Sequence, residues 1–268
     1  MSRRLTLLGC LVTTTVLCLG VAAGPATAAS ADVDYVALGD SYSSGVGAPG
    51  QRGLCFQSPN GYPGQFANAT RPRSFTNLTC GGAVTGDVRN LQVPFLSSGA
   101  DLISLTIGGN DAGFAPTVLS CQVSSNEACA AKVAQARADI EATLPAKLDA
   151  TYQAIRAKAR NATVVVLGYP LLFDTSSASC GLAGMSLTKR RALNGGADVL
   201  DNLIREHAAA AGFLFSDVRD EFAGHGICAA TPYLNGLTVL PPQNSFHPNQ
   251  SGYTFGYLPA LVEATNPA

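Results

Sequence analysis

Three short apolar runs, Val33 to Leu38, Leu102 to Ile107 and Thr163 to Leu167, each stop abruptly at a glycine-led polar turn. The turns are Gly39-Asp40-Ser41-Tyr42-Ser43, Gly108-Gly109-Asn110-Asp111 and Gly168-Tyr169-Pro170. A nearly unbroken apolar run of this length reads as a strand covered on both faces, because neither face alternates toward water. Helical patterns separate the runs. From Ala130 to Ala159, Val133, Ile140, Leu144, Leu148, Tyr152 and Ile155 recur at the helical period, and Pro145 is expected to divide the segment into two helices. Leu187 to Ala211 reads as one long helix with Val199, Leu200, Leu203 and Ile204 inward, stopped by Gly212. Tyr62 to Asn68 suits a short helix, Ser74 to Leu78 a second strand, and Phe213 to Phe215 a last one. Strands alternating with helices predict an α/β fold: three layers, α/β/α, around a central parallel sheet with right-handed crossovers. Open sheets of this kind place their sites beyond the carboxyl ends of the strands. Ser41, after the first strand, and Asn110, after the third, both fall there.

The N-terminus carries a different signal. Arg3 and Arg4 precede an uncharged run from Leu5 to Ala23, followed by Gly24-Pro25 and Ala26-Thr27-Ala28. This is the pattern of a secretory signal peptide over residues 1–28, leaving residues 29–268 as a single domain. A retained anchor is the alternative, argued against by Thr13 to Thr15, Gly20 and the small-residue cleavage pattern. An exported product is secreted and needs no stable membrane span.

With 17 Lys+Arg against 18 Asp+Glu, of which the leader removes only two basic residues, the charge balance offers no electrostatic case for a nucleic-acid partner. Cys10 and Cys18 leave with the leader, and Cys55, Cys80, Cys121, Cys129, Cys180 and Cys228 remain as an even set. In an exported chain such a set reads as disulfides. The chain has no CxxC and only three histidines, which argues against a metal site, and no cofactor is called for.

Four blocks lie in order along the chain: Gly39-Asp40-Ser41-Tyr42-Ser43, Cys80-Gly81-Gly82-Ala83-Val84-Thr85-Gly86-Asp87, Ile107-Gly108-Gly109-Asn110-Asp111 and Ser245-Phe246-His247-Pro248. Together they resemble the SGNH (GDSL) hydrolases, and within them the secreted bacterial lipases, esterases and phospholipases, over roughly residues 33–262. The resemblance implies a flavodoxin-like fold and a secreted monomer that hydrolyses carboxylic esters of lipids. It also implies Ser41 as nucleophile, His247 as base, and the main-chain N–H groups of Ser41 and Gly82 with the Asn110 amide as oxyanion donors. Cysteine pairing in sequential order, 55 with 80, 121 with 129 and 180 with 228, is implied by the same resemblance.

The residues themselves support these roles to different degrees. A serine hydroxyl needs a base within hydrogen-bond reach. Of the three histidines, His207 belongs to a helix and His225 to a loop, whereas His247 sits in a polar, proline-flanked segment before the last helix. Gly81-Gly82-Ala83 opens a new segment, either a helix N-terminus with unpaired N–H groups or a flexible turn. Asn110 alone reads equally as a turn asparagine bonding its own backbone. The family's second block has Ser where this chain has Gly81, of little consequence if the donor is main chain. Its last block is Asp-x-x-His, whereas Asn244 stands three residues before His247 and no Asp or Glu occurs between Glu221 and Glu263. A backbone carbonyl of Asn244 or Ser245 is therefore expected to orient His247 in a Ser-His dyad.

An α/β-hydrolase is disfavoured because Ser43 stands where G-x-S-x-G needs its last glycine. A binding protein that has lost the chemistry, and an esterase for acetylated polysaccharide, remain alternatives. Leu54, Phe56, Phe114, Leu171, Leu172 and Phe173, read as loop-borne, are candidates for an acyl groove or for core.

Overall fold

The computed structural model describes residues 32–180 and 184–266. The expected leader therefore lies outside the described residues. The elements are β1 (Asp34–Gly39), α1 (Ser41–Ser44), α2 (Tyr62–Thr70), β2 (Ser74–Asn77), α3 (Thr85–Asp87), β3 (Leu102–Thr106), α4 (Phe114–Val123), α5 (Asn126–Lys158), β4 (Thr163–Leu167), α6 (Leu187–Ala210), β5 (Leu214–Ser216) and α7 (Leu258–Thr265). The five strands are parallel in the order β2-β1-β3-β4-β5. Tyr35 pairs with Leu102 and Gly39 with Thr106, so β1 and β3 end level with each other.

From β1 the chain moves outward to β2, then returns past β1 to build β3, β4 and β5. With right-handed crossovers this reversal puts the helices of the two halves on opposite faces of the sheet. One layer packs α5 against α6, and the other packs α2 against α7. Val36, Ala37, Leu38, Ile103, Leu105, Val165 and Val166 are buried between them, which is why these strands read as continuous apolar runs. The reversal lies between β1 and β3, the crevice where a flavodoxin-like sheet binds its ligands.

Two expectations about helices need correction. Pro145 does not divide the segment after Ala130: α5 runs unbroken for 33 residues from Ser125, whose side chain accepts the Ala128 N–H. An interior proline costs about 3 kcal/mol in an isolated helix. Here Ile140, Leu144, Leu148, Tyr152 and Ile155, all buried against the core on both sides of Pro145, hold the two halves as one element. The second correction concerns Phe114, which begins α4 and is not loop-borne. The cysteines pair as 55–80, 121–129 and 180–228.

Candidate active site

β1 ends at Gly39 with φ +120°, and a Cβ there would fall 2.3 Å from the Thr106 carbonyl oxygen. Only glycine lets β1 turn so close to β3. The Gln92 amide clamps that turn, accepting the Gly39 N–H at 2.8 Å and donating to its carbonyl at 2.9 Å. Asp40 then caps a single helical turn, its Oδ1 accepting the Tyr42 N–H at 2.9 Å. Ser41 is the first residue of that turn and is 8% exposed, so it stands on a buried one-turn helix and not in an open turn.

Ser41 meets His247 across the mouth of the sheet. Nε2 of His247 lies 2.7 Å from Ser41 Oγ, and Nδ1 lies 2.9 Å from the carbonyl oxygen of Ser245. A carbonyl can only accept, so Nδ1 carries the proton and Nε2 is left to accept the serine hydroxyl. Phe246, between them, has φ +62°. This left-handed conformation is uncommon for an aromatic residue; it folds the ring of His247 back over the carbonyl two residues earlier. Tyr42 OH locks the turn by donating to the Phe246 carbonyl at 2.6 Å. Asn244 does not meet the ring: its carbonyl accepts the main-chain N–H of His247 at 3.3 Å and its Oδ1 accepts from Gln51 at 2.8 Å. Desolvation of the charged form pushes His247 down to about 4, opposed by the Ser245 carbonyl.

Gly82 lies in a tight turn with φ +83°, and α3 begins only at Thr85, so the glycines do not open a helix. The Cys55–Cys80 bridge and the bond from Gly81 N–H to the Cys55 carbonyl, 3.0 Å, hold this turn. One hydrogen of the Asn110 amide donates to the Ala83 carbonyl at 2.9 Å, bringing Asn110 beside Gly82. Asp111 reinforces the junction by accepting both the N–H and the hydroxyl of Thr85 at 2.8 Å. The N–H groups of Ser41 and Gly82 donate to no acceptor among the described residues. Ser41, Gly82, Asn110 and His247 all line one cavity of about 400 Å³.

Beneath them lies a buried polar layer that motif reading did not assign. Tyr169 OH donates to Asp40 Oδ2 at 2.5 Å and accepts the Gly109 N–H at 2.9 Å. Its own N–H donates to Asp201 Oδ1 at 2.8 Å. Burial raises Asp40 to about 7, against the lowering effect of its bonds from Tyr169 and Tyr42. Burial likewise raises Asp201 to about 8, with Arg219 Nε 3.7 Å away as a partial counter-charge. The sequence held one signal for Tyr169, its place directly after the apolar run of β4.

The cavity wall is mostly apolar. Phe56 and Phe114 line it, as do Leu119 and Leu237, whereas Leu172 and Phe173 belong to the core and Leu54 stands in solvent. Leu171 does not reach the cavity. The other histidines are engaged elsewhere: His207 pairs with Asp149 at 2.6 Å, and His225 stacks on Tyr233 with ring centroids 3.8 Å apart. Among the described residues no cluster of three or more His, Cys, Asp or Glu is arranged to hold a metal ion.

Comparison with known proteins gives these features a context. The model of the GDSL-like lipase/acylhydrolase family matches residues 37–255. A lipase of Streptomyces rimosus is 45% identical over 269 residues, 99% of each chain. The crystal structure of an extracellular lipase from Streptomyces rimosus superposes with a TM-score of 0.83 at 46% identity, covering 87% of this chain and 99% of that one. Phospholipase A1 from Streptomyces albidoflavus NA297 superposes with a TM-score of 0.84 at 44% identity, over 87% of this chain and 100% of that one. By sequence over nearly its whole length and by fold, this chain belongs to the GDSL-like lipase/acylhydrolase family.

Proposed function

We propose that this chain, a carboxylic ester hydrolase by its family, is a secreted enzyme that cleaves lipid esters through a Ser41-His247 dyad. The observation that carries the reading is the pair of bonds at the imidazole: Ser41 Oγ 2.7 Å from Nε2 and the Ser245 carbonyl 2.9 Å from Nδ1. As Oγ attacks the acyl carbonyl, its proton passes to Nε2. The tetrahedral oxyanion is received by the N–H groups of Ser41 and Gly82 and by the second amide hydrogen of Asn110. Each such donor contributes ~2.7 to 4 kcal/mol where charge develops in a water-poor site. The imidazolium then returns the proton to the departing alcohol, leaving an acyl-Ser41 ester. Water, deprotonated by His247, hydrolyses that ester and restores the hydroxyl. The chemistry is that of the serine triad with a carbonyl in place of the acid.

An apolar wall beside Ser41 favours acyl chains over sugar acetates. The relatives described as lipase and phospholipase A1 make triglycerides and phospholipids the substrates to try first. Export is supported by the three disulfides and by a relative described as extracellular. Among the described residues no helix is long and apolar enough to cross a membrane. The deciding experiment compares wild type and Ser41→Ala on p-nitrophenyl butyrate, phosphatidylcholine, tributyrin and acetylated xylan. Loss of a serine nucleophile costs ~10⁶ in kcat. Activity in Ser41→Ala above about a tenth of wild type would mean that the nucleophile is elsewhere.

A further inference from the structure

The cavity opens through a surface with an unusual composition. Leu119 and Leu237 line the cavity and are also about half exposed. Val123 follows Leu119 by four residues on the same face of α4 and is 88% exposed. Val239 and Leu240 are 81% and 85% exposed, in a segment whose neighbours Thr238 and Pro242 line the mouth. Leu119 and Leu237 come from two separate parts of the chain, yet they line one cavity. Charge is sparse in these segments: no Asp, Glu, Lys or Arg occurs from Ala112 to Asn126 or from Ile227 to Val262, and Gly45 to Thr70 holds only Arg52, while Lys189 reaches the end of α4 from α6, its Nζ donating to the Ser124 carbonyl.

We infer that Leu119, Val123, Leu237, Val239 and Leu240 form a docking surface for the face of an uncharged or zwitterionic lipid aggregate. The inference rests on the lipid-ester reading of the cavity, because a lipid leaving such an aggregate enters the site through this rim. Contiguous exposed apolar side chains mark a membrane or protein contact. Continuity with an apolar acyl cavity selects lipid over a protein partner, and Lys189 beside Val123 falls short of the cluster of basic residues that anionic head groups call for, which selects zwitterionic ones. The rim is also tied to the reacting groups. Ser245 Oγ accepts the Thr238 N–H at 2.9 Å and lies 3.1 Å from its carbonyl, while the Ser245 carbonyl accepts from His247. The segment that meets lipid thus shares a residue with the one that orients the base.

The test measures binding and turnover separately. Ser41→Ala protein, which spares the lipid, is co-sedimented with phosphatidylcholine vesicles alone and with Val123→Asp/Val239→Asp added. Neither valine lines the cavity. The double substitution is expected to lower partition at least tenfold while hydrolysis of soluble p-nitrophenyl acetate by the Ser41-containing form stays within twofold. Because the chain has no tryptophan, Val239→Trp supplies a single tryptophan that can be excited apart from the tyrosines, and its emission is expected to shift blue on adding vesicles. Phe95→Asp is the control. Phe95 is exposed at the opposite end of the sheet, before β3, where the Pro94 carbonyl accepts from Lys158. It should leave partition unchanged.

Unchanged partition in the double variant, an equal loss in Phe95→Asp, or binding confined to anionic vesicles and removed by salt would overturn the inference. So would a dimer in sedimentation velocity that the double substitution dissolves without altering vesicle partition, since a second copy would then be the occupant. Partition is read without turnover. Continued hydrolysis by Ser41→Ala would therefore undo the dyad and leave the docking result standing.

Discussion

Tyr169 OH donates to Asp40 Oδ2 at 2.5 Å and accepts the Gly109 N–H at 2.9 Å, so one side chain joins the turn that bears Ser41 to the turn that bears Asn110. Tyr169→Phe keeps the ring and removes both bonds, leaving a buried carboxylate and a buried N–H short of a partner. A loss of about 1 to 3 kcal/mol in unfolding free energy is expected for a group so stranded. The spacing between Ser41 and Asn110, the proposed nucleophile and oxyanion donor, is expected to loosen as well, so kcat on a soluble ester is expected to fall more than KM rises. Denaturant titration and steady-state kinetics on the same preparation check both. Stability and kcat equal to wild type would show that the junction is held by other contacts.

Asn110→Ala is expected to lower kcat by ~10² to 10³ with KM little changed, as for a donor that meets the oxyanion more strongly than the ground-state carbonyl. The amide also fastens the Gly82 turn through the Ala83 carbonyl. Asn110→Asp, which presents no donor, is a companion variant expected to be at least as impaired. A variant that only raises KM would assign Asn110 to substrate binding.

The side chain of Asn244 is expected to be dispensable. It bonds Gln51, and the imidazole is oriented by the main chain of Ser245. Asn244→Ala should keep kcat within ~10-fold of wild type, whereas losing a triad acid costs ~10⁴. A fall of three orders of magnitude in a folded variant would return the orienting role to a side chain.

Burial sets two pH dependences of opposite sign. His247 must be neutral to act as base, and with its pKa pushed down to about 4, kcat/KM should hold from neutrality to about pH 5 before falling. An acid limb centred at 6.5 or above would contradict this. Asp40 and Asp201 are raised from 3.8 to about 7 and about 8, so between those values the folded state binds more protons than the unfolded one. Their contribution to stability is present at low pH and is lost as pH rises through 7 and 8. His247 has the reverse sign, its contribution being lost as pH falls from 6.5 toward 4. The thermal midpoint is therefore expected to decline from pH 6.5 to 8.5, and a rise over that range would count against the assignment.

Periodicity sufficed to read the parallel sheet and most of its helices, because β1, β3 and β4 are buried on both faces and their composition records it. The ends of those runs also marked where Ser41, Asn110 and Tyr169 would stand, since a parallel sheet presents its carboxyl ends together. Local pattern failed where distant packing decides. Proline at position 145 argues for a break, but apolar residues on both sides of it dock on one core and α5 continues. Phe114 looks like loop until α4 closes over the cavity. Leu172 and Phe173 are as apolar as Phe56, and only the path of the chain puts the first two in the core and the third on the wall. The choice between the carbonyls of Asn244 and Ser245 depended on the left-handed turn at Phe246, held by Tyr42 from 204 residues away. The bond from Tyr169 to Asp40 spans 129 residues. Such contacts leave no period in the sequence, because each is one hydrogen bond between elements that only the folded sheet brings within reach.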